Sequence, residues 1–137
     1  MAAVTEEEAL AAGAKPMIYF SHDADAAQDL KCRRLIRKHG VEGYGRWWLL
    51  CEALAAADGH RLPCSDDDDI EVLADIMHCP VEDVAPFAEY LGRIGLIDAD
   101  MLEGGVIVSD RMIRNSIEVG RKRVGGMRGR GPRKKKE

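Results

Sequence analysis

Cations are the side chains of this sequence with the clearest chemical use. Lys31, Arg33, Arg34, Arg37 and Lys38 fall within eight residues, and Arg121, Lys122, Arg123, Arg128, Arg130, Arg133, Lys134, Lys135 and Lys136 supply nine more within sixteen. Guanidinium and ammonium groups at such density hold phosphate oxygens. Each contact releases condensed counterions, so binding of this kind falls steeply with salt and is largely independent of sequence. Base specificity needs contacts to base edges, which these groups do not supply by themselves. On a helix, Cys32, Leu35, Ile36 and His39 share one face, and the other presents Lys31, Arg34 and Lys38 with Arg33 and Arg37 alongside. The expected DNA contacts are therefore Arg33, Arg34, Arg37 and Lys38 as a secondary patch, and the nine cations of residues 121–136 as the main one. The competing reading of the first group is an ordinary solvated helix face.

The charge distribution supports that division. Residues 1–120 carry 11 Lys and Arg against 23 Asp and Glu, a net of −12, while residues 121–137 carry 9 against 1, a net of +8 within the overall −4. An acidic body with a basic end points to nucleic acid, or another acidic surface, as the partner of that end. Residues 125–137 are rich in glycine and like charge and nearly devoid of apolar side chains, so residues 121–137 are expected as a disordered basic tail. Within it, Arg128-Gly129-Arg130-Gly131-Pro132-Arg133 resembles the AT-hook, whose Arg-Gly-Arg-Pro core lies in the minor groove. Gly131 interrupts that core, leaving phosphate attraction without a base preference.

Other reactive residues lack diagnostic spacing. No nucleophile, base and ligand set converges in the sequence, so no enzyme activity and no cofactor are expected. His22-Asp23-x-Asp25 comes nearest and reads as a turn and helix cap. His60-x-x-x-Cys64 with His78-Cys79 offers four zinc ligands, but neither half has zinc-finger spacing. Asp66–Asp69 lacks the alternating ligands, central glycine and terminal glutamate of a calcium loop, and its expected role is to cap a helix. Cys32 and Cys51 read as small core residues, and no disulfide is expected in a chain of cytosolic character. An adjacent pair such as Trp47 and Trp48 can stack on bases in single-strand binders. Their helical spacing with Tyr44, Cys51 and Leu54 instead predicts core packing.

The elements that must position these residues follow from length and punctuation. At 137 residues and 46% apolar, the chain suits one domain. No stretch approaches the ~20 apolar residues of a membrane span, and the acidic start lacks a basic leader, so a cytoplasmic, nucleoid-associated protein is expected. Residues 1–16 read as an arm with a capping box at Thr5 and Glu8, and residues 17–120 as the domain proper. Met17 to Ser21 is β-prone. A helix from Asp25 or Asp29 to His39 should stop at Gly40, and a second should run from Gly43 to Asp58. Arg61, Leu62 and Pro63 form a possible short strand. Ile70, Leu73, Ala74 and Met77 predict a third helix, broken at Cys79-Pro80, and Val84, Phe87, Ala88 and Leu91 a fourth, kinked or restarted at Pro86. Leu96-Ile97 should pair with Val106-Ile107-Val108 across an irregular connection as a β-hairpin wing, before a last helix from Arg111 to Arg123. The fold class is mainly α with a small β-hairpin: a winged helix-turn-helix of about five helices.

Tyr19-Phe20-x-His22-Asp23, Asp29 and Lys31 entering a helix, Gly40, Glu42-Gly43-Tyr44-Gly45 and Trp47-Trp48-Leu49-Leu50-x-Glu52 together resemble the N-terminal domain of phage replisome organisers and related DnaD-like replication initiation proteins. The resemblance continues more loosely to about residue 112. It implies a winged-helix domain that marks or remodels an origin, helps recruit a replicative helicase or its loader, and is able to form homo-oligomers. Members of that group usually continue into a C-terminal region. From the residues alone, a winged-helix transcriptional regulator and a protein-interaction or oligomerisation module remain alternatives. The fourth helix carries Glu82, Asp83 and Glu89 against Arg93, an unfavourable face for a DNA groove.

Overall fold

The computed structural model describes residues 3–129. In chain order the elements are α1 (Glu6–Gly13), α2 (Leu30–Ala56), β1 (Arg61–Pro63), α3 (Asp67–Met77), α4 (Val81–Ile94), α5 (Ala99–Glu103), β2 (Val106–Val108) and α6 (Asp110–Gly129). The architecture is mainly helical with one two-stranded antiparallel sheet, a winged-helix-like arrangement in which α3 and α4 form the helix-turn-helix. No described helix is long and apolar enough to cross a membrane.

The central element is α2, which is two helices joined at Gly40. Gly40 adopts φ 72° and ψ −175°, a conformation that glycine enters without the steric penalty of a Cβ. Three residues later, a Cβ on Gly43 would lie 2.3 Å from the His39 Cβ, so this position must stay bare for the chain to fold back across the bend. The bend aims both halves at one core. Leu35 enters it from the first half, and Trp47, Leu50, Cys51 and Leu54 enter from the second. Leu73 and Met77 of α3, Val84, Phe87 and Leu91 of α4, and Ile97, Ile107 and Met112 complete it.

The helix ends follow the local chemistry read from the sequence. Thr5 and Glu8 close a reciprocal capping box on α1. The Asp66 carboxylate accepts from the Asp69 amide, while the Asp69 carboxylate accepts from Ser65 N, Ser65 Oγ and Asp66 N, which holds its carboxyl below the usual range. The aspartate run is therefore the start of α3. His78, left-handed at φ 53°, ends that helix as Cys79 N donates to Ala74 O, and Pro80 precedes α4.

Five expectations are corrected. The fourth helix neither kinks nor restarts at Pro86: α4 is continuous, with Pro86 and Glu82 on its solvent side, where water can serve the carbonyl left without a donor. Leu96-Ile97 is not a wing strand. Gly95 takes φ 84°, and the amides of Leu96 and Ile97 both turn back to Leu91 O, closing α4. The partner of β2 is β1, in the register Arg61↔Val108, Leu62↔Ile107, Pro63↔Val106. The connection read as irregular holds α5, capped by Asp98, whose carboxylate accepts from Met101 N. Met17 to Ser21 is not a strand either: Met17 is pinned by its amide to Ala55 O, while Ile18 and Tyr19 are 97% and 83% exposed.

The fifth correction concerns the C-terminal end. The helix expected to stop at Arg123 continues to Gly129, so residues 121–129 are helical rather than disordered; at the other end, the arm with the Thr5–Glu8 capping box contains the helix α1, which packs across α6. Residues 130–137 of the expected tail lie outside the described residues.

Two glycines shortly after the α2 bend should respond oppositely to alanine. Gly43→Ala forces a clash and should lower unfolding stability by about 1–3 kcal/mol. Gly45→Ala, where a Cβ meets nothing within 4 Å, should raise it by about 0.5–1 kcal/mol through helix propensity. Urea denaturation of the two variants checks both signs.

Candidate nucleic-acid interface

The first half of α2 begins where the Asp29 carboxylate accepts from the Lys31 amide. Its burial period then decides which side chains reach water. Cys32 and Leu35 point into the core, and Arg33, Arg34, Arg37 and Lys38 are exposed together on the opposite side. None of the four takes part in an ion pair among the described residues. Lys31 does not join them freely, because its ammonium donates to Gly95 O at 3.0 Å and closes the end of α4.

This cationic face is braced from behind by α4. Tyr90 donates its hydroxyl to Arg34 O at 3.1 Å, and Lys38 Nζ sits 5.6 Å from the centre of the Tyr90 ring. His39 packs edge-on against Phe87 and Tyr90. Burial pushes its imidazole below the ordinary value of 6.5, and the neighbouring charges of Lys38 and Arg46 push it further the same way.

The outward face of α4 has the opposite character. Glu82, Ala85, Pro86, Glu89 and Arg93 are exposed, and the Arg93 guanidinium is engaged by Glu89 at 3.4 Å. Carboxylates on the second helix of a helix-turn-helix repel phosphates, so the favourable field lies over α2.

The second predicted group divides. Arg121 and Lys122 are exposed on α6, with Arg121 3.5 Å from Glu118. Arg123 is half-buried and turned inward: its guanidinium donates to Ala12 O and Pro16 O at 2.9 Å and to Lys15 O at 3.3 Å. It is an intramolecular fastener, and its carbonyl partners occupy the donors that a phosphate would need. Arg128 belongs to the last turn of α6, and Arg130, Arg133, Lys134, Lys135 and Lys136 lie outside the described residues. Arg114, which sequence reasoning passed over, is exposed on α6. Only its position relative to the buried Met112 and Ser116 signals this.

The motif that opens the resemblance has a bracing role. The His22 ring lies flat on Trp48 with centroids 3.6 Å apart, Phe20 also stacks on Trp48 at 6.0 Å, and the Asp23 carboxylate pairs with Arg111 of α6. Trp47 is buried as expected, whereas Trp48 is only half-buried and forms one wall of a groove of about 610 Å³. That groove is lined by Lys31, Arg111 and Arg114 but also by Asp23, Asp29, Asp110 and Glu118, so carboxylates outnumber its cations and it does not select anions. Cys32 and Cys51 are buried, unbridged thiols raised above their usual range, chiefly by desolvation. Among the described residues no group of three or more His, Cys, Asp or Glu is arranged to hold a metal ion.

Compared with known proteins, residues 19–112 match the family model described as Lin1244/Lin1753-like, N-terminal. No curated protein and no solved structure matches the chain.

Because the neutral imidazole is favoured in the folded protein, His39 should titrate below 6.5 by NMR, and Lys38→Met should move it upward. The sign for stability follows: as pH falls through 6.5 the unfolded chain takes up a proton that the folded chain resists, so unfolding stability should decline and then level off below the folded value. A His39→Gln variant should lose that part of the decline.

Proposed function

The chain belongs to the Lin1244/Lin1753-like N-terminal family, and on that footing we propose that it is a non-enzymatic DNA-binding domain of a phage or mobile-element replication initiation protein of the replisome-organiser type. The observation that carries the DNA reading is the row of Arg33, Arg34, Arg37 and Lys38, exposed, unpaired among the described residues and fixed on a helix anchored in the core. The replication assignment rests on the resemblance of residues 19–52. On this reading the domain sits on phosphates through α2 and the exposed cations of α6, with the later cations of the chain adding attraction. It reads little base sequence, and its partners are DNA, a replicative helicase or its loader, and further copies of itself in the nucleoid.

A second reading has its own support. The acidic face of α4 adjoins half-exposed Val81 at its start, and Val72 of α3 is 56% exposed, a mixture that suits docking to a basic protein surface better than docking to DNA. A protein-interaction module of that kind would use α3 and α4 and leave α2 idle.

Fluorescence anisotropy with duplex and single-stranded DNA over a salt series separates the two. Arg33→Gln/Arg34→Gln/Arg37→Gln should weaken binding and reduce the slope of log affinity against log salt by about 1 for each phosphate no longer neutralised. Glu82→Gln/Glu89→Gln should leave binding equal or slightly tighter. Absence of binding by the unaltered chain at low salt would sink the DNA reading and favour the docking module.

A further inference from the structure

The crossing of α1 and α6 is built to bring two backbones into contact. A Cβ on Gly13 would fall 1.9 Å from Ser116 O, and a Cβ on Gly120 would fall 1.8 Å from Ala9 O. Ala9 and Gly13 are four residues apart on one helix, and Ser116 and Gly120 are four apart on the other, so each helix offers a face of two small residues to its partner. The carbonyls at the end of α1 then find donors elsewhere in the fold. Gly13 O meets the Nε2 of His60, a wholly buried ring whose Nδ1 faces Leu54 O at 2.9 Å. Ala14 O accepts from Gly59 N at 2.7 Å, and Arg123 serves Ala12, Lys15 and Pro16.

Neither side of this crossing belongs to the matched family segment. That segment runs from 19 to 112, so α1 lies before it and Ser116, Gly120 and Arg123 lie after it. Both helices also need outside support. With only eight residues, α1 is too short to persist as an isolated helix, and α6 carries Gly125 and Gly126 in open surroundings, where each weakens the helix. Positions 116, 120 and 123 face α1, which turns Arg114, Arg121 and Lys122 outward into solvent.

We infer that α1 is a strap that holds the basic half of α6 as a rigid helix presenting Arg121 and Lys122 to nucleic-acid phosphates, and that His60 and Arg123 are positioning residues that fasten it. The inference rests on the DNA-binding reading above. Its physical content is pre-organisation: cations already ordered by the strap lose less conformational freedom on meeting a polyanion, so affinity rises without an added contact. The strap thus makes a prediction that a phosphate-binding residue does not. Loosening it should lower affinity while the salt slope, which counts released counterions, stays the same.

Gly13→Leu in the full chain tests this, read by hydrogen exchange and by anisotropy on duplex DNA. Amides of residues 113–129 should exchange about tenfold faster or more while those of α2 to β2 keep their protection. DNA affinity should fall about three- to tenfold at an unchanged salt slope. Arg123→Gln should reproduce the exchange change with the small-residue crossing intact, which guards against a variant that merely misfolds. Retained protection of 113–129 in both variants overturns the strap, and lost protection with unchanged affinity overturns its role in positioning. If the unaltered chain binds no DNA, the DNA-binding reading fails and the positioning role fails with it, while the exchange measurement still decides whether α1 orders α6.

Discussion

The fold depends on a steric allowance at the bend of α2. The space between the His39 Cβ and residue 43 is too small for any side chain, and Gly40 takes a backbone conformation that other residues strongly resist. With both positions glycine, one 27-residue stretch becomes two helices that converge, and Leu35 joins Leu50 and Leu54 in a shared core. The other elements attach to that pair. The helix-turn-helix packs its Leu73, Met77, Phe87 and Leu91 against it, and Met112 of α6 closes the remaining side. A straight α2 would carry its first half away from α4 and break the Tyr90 and Lys31 hydrogen bonds that brace the cationic face.

Charge is sorted by the same geometry. The two halves of α2 share one core, but only the first half places arginines opposite its buried residues. On α4 the exposed charges are Glu82 and Glu89 with Arg93 held by Glu89, and on α3 they are the capping aspartates with Glu71 and Asp75. The helix-turn-helix therefore presents a negative surface while the helix behind it presents a positive one. On the proposed reading, a polyanion would meet the positive side of α2 rather than the second helix of the helix-turn-helix.

Much of this was legible in the sequence because it was written locally. Gly40, the Asp66–Asp69 cap, the break at Cys79-Pro80 and the apolar periods of the helices each act within a turn or two of themselves. The strand pairing was not legible in the same way. Three residues of β1 carry no period long enough to compete with Leu96-Ile97 as the partner of β2, and the choice was made by helix termination, which consumed the Leu96 and Ile97 amides. The α1 crossing was invisible for a related reason: small residues at 9, 13, 116 and 120 have meaning only once the two ends are brought together. Charge counting likewise grouped Arg123 with its basic neighbours. Composition registers a cation and says nothing of the carbonyls it already holds.

The two cationic surfaces are therefore held by different means, and this bears on how each can act. The arginines of α2 stand on a helix locked by buried leucines, so their placement is as durable as the core itself. Arg121 and Lys122 stand on the part of α6 beyond Val119, its last residue packed against the core, and depend on an eight-residue partner across a crossing of small residues. Contact between the two backbones is close, and the hydrogen bonding of Arg123, His60 and Gly59 to the carbonyls of residues 12–16 fastens the end of α1. On the proposed reading, a polyanion first meets a fixed surface at α2 and then a second surface whose order the protein can adjust through one short helix. An anion close to α6 would itself compete for the Arg123 guanidinium, which binds neutral carbonyls more weakly than it would bind a phosphate. The strap and the ligand are thus coupled through that one side chain, and the coupling works against the strap when phosphate reaches Arg123 and for it when phosphate stays on Arg121 and Lys122.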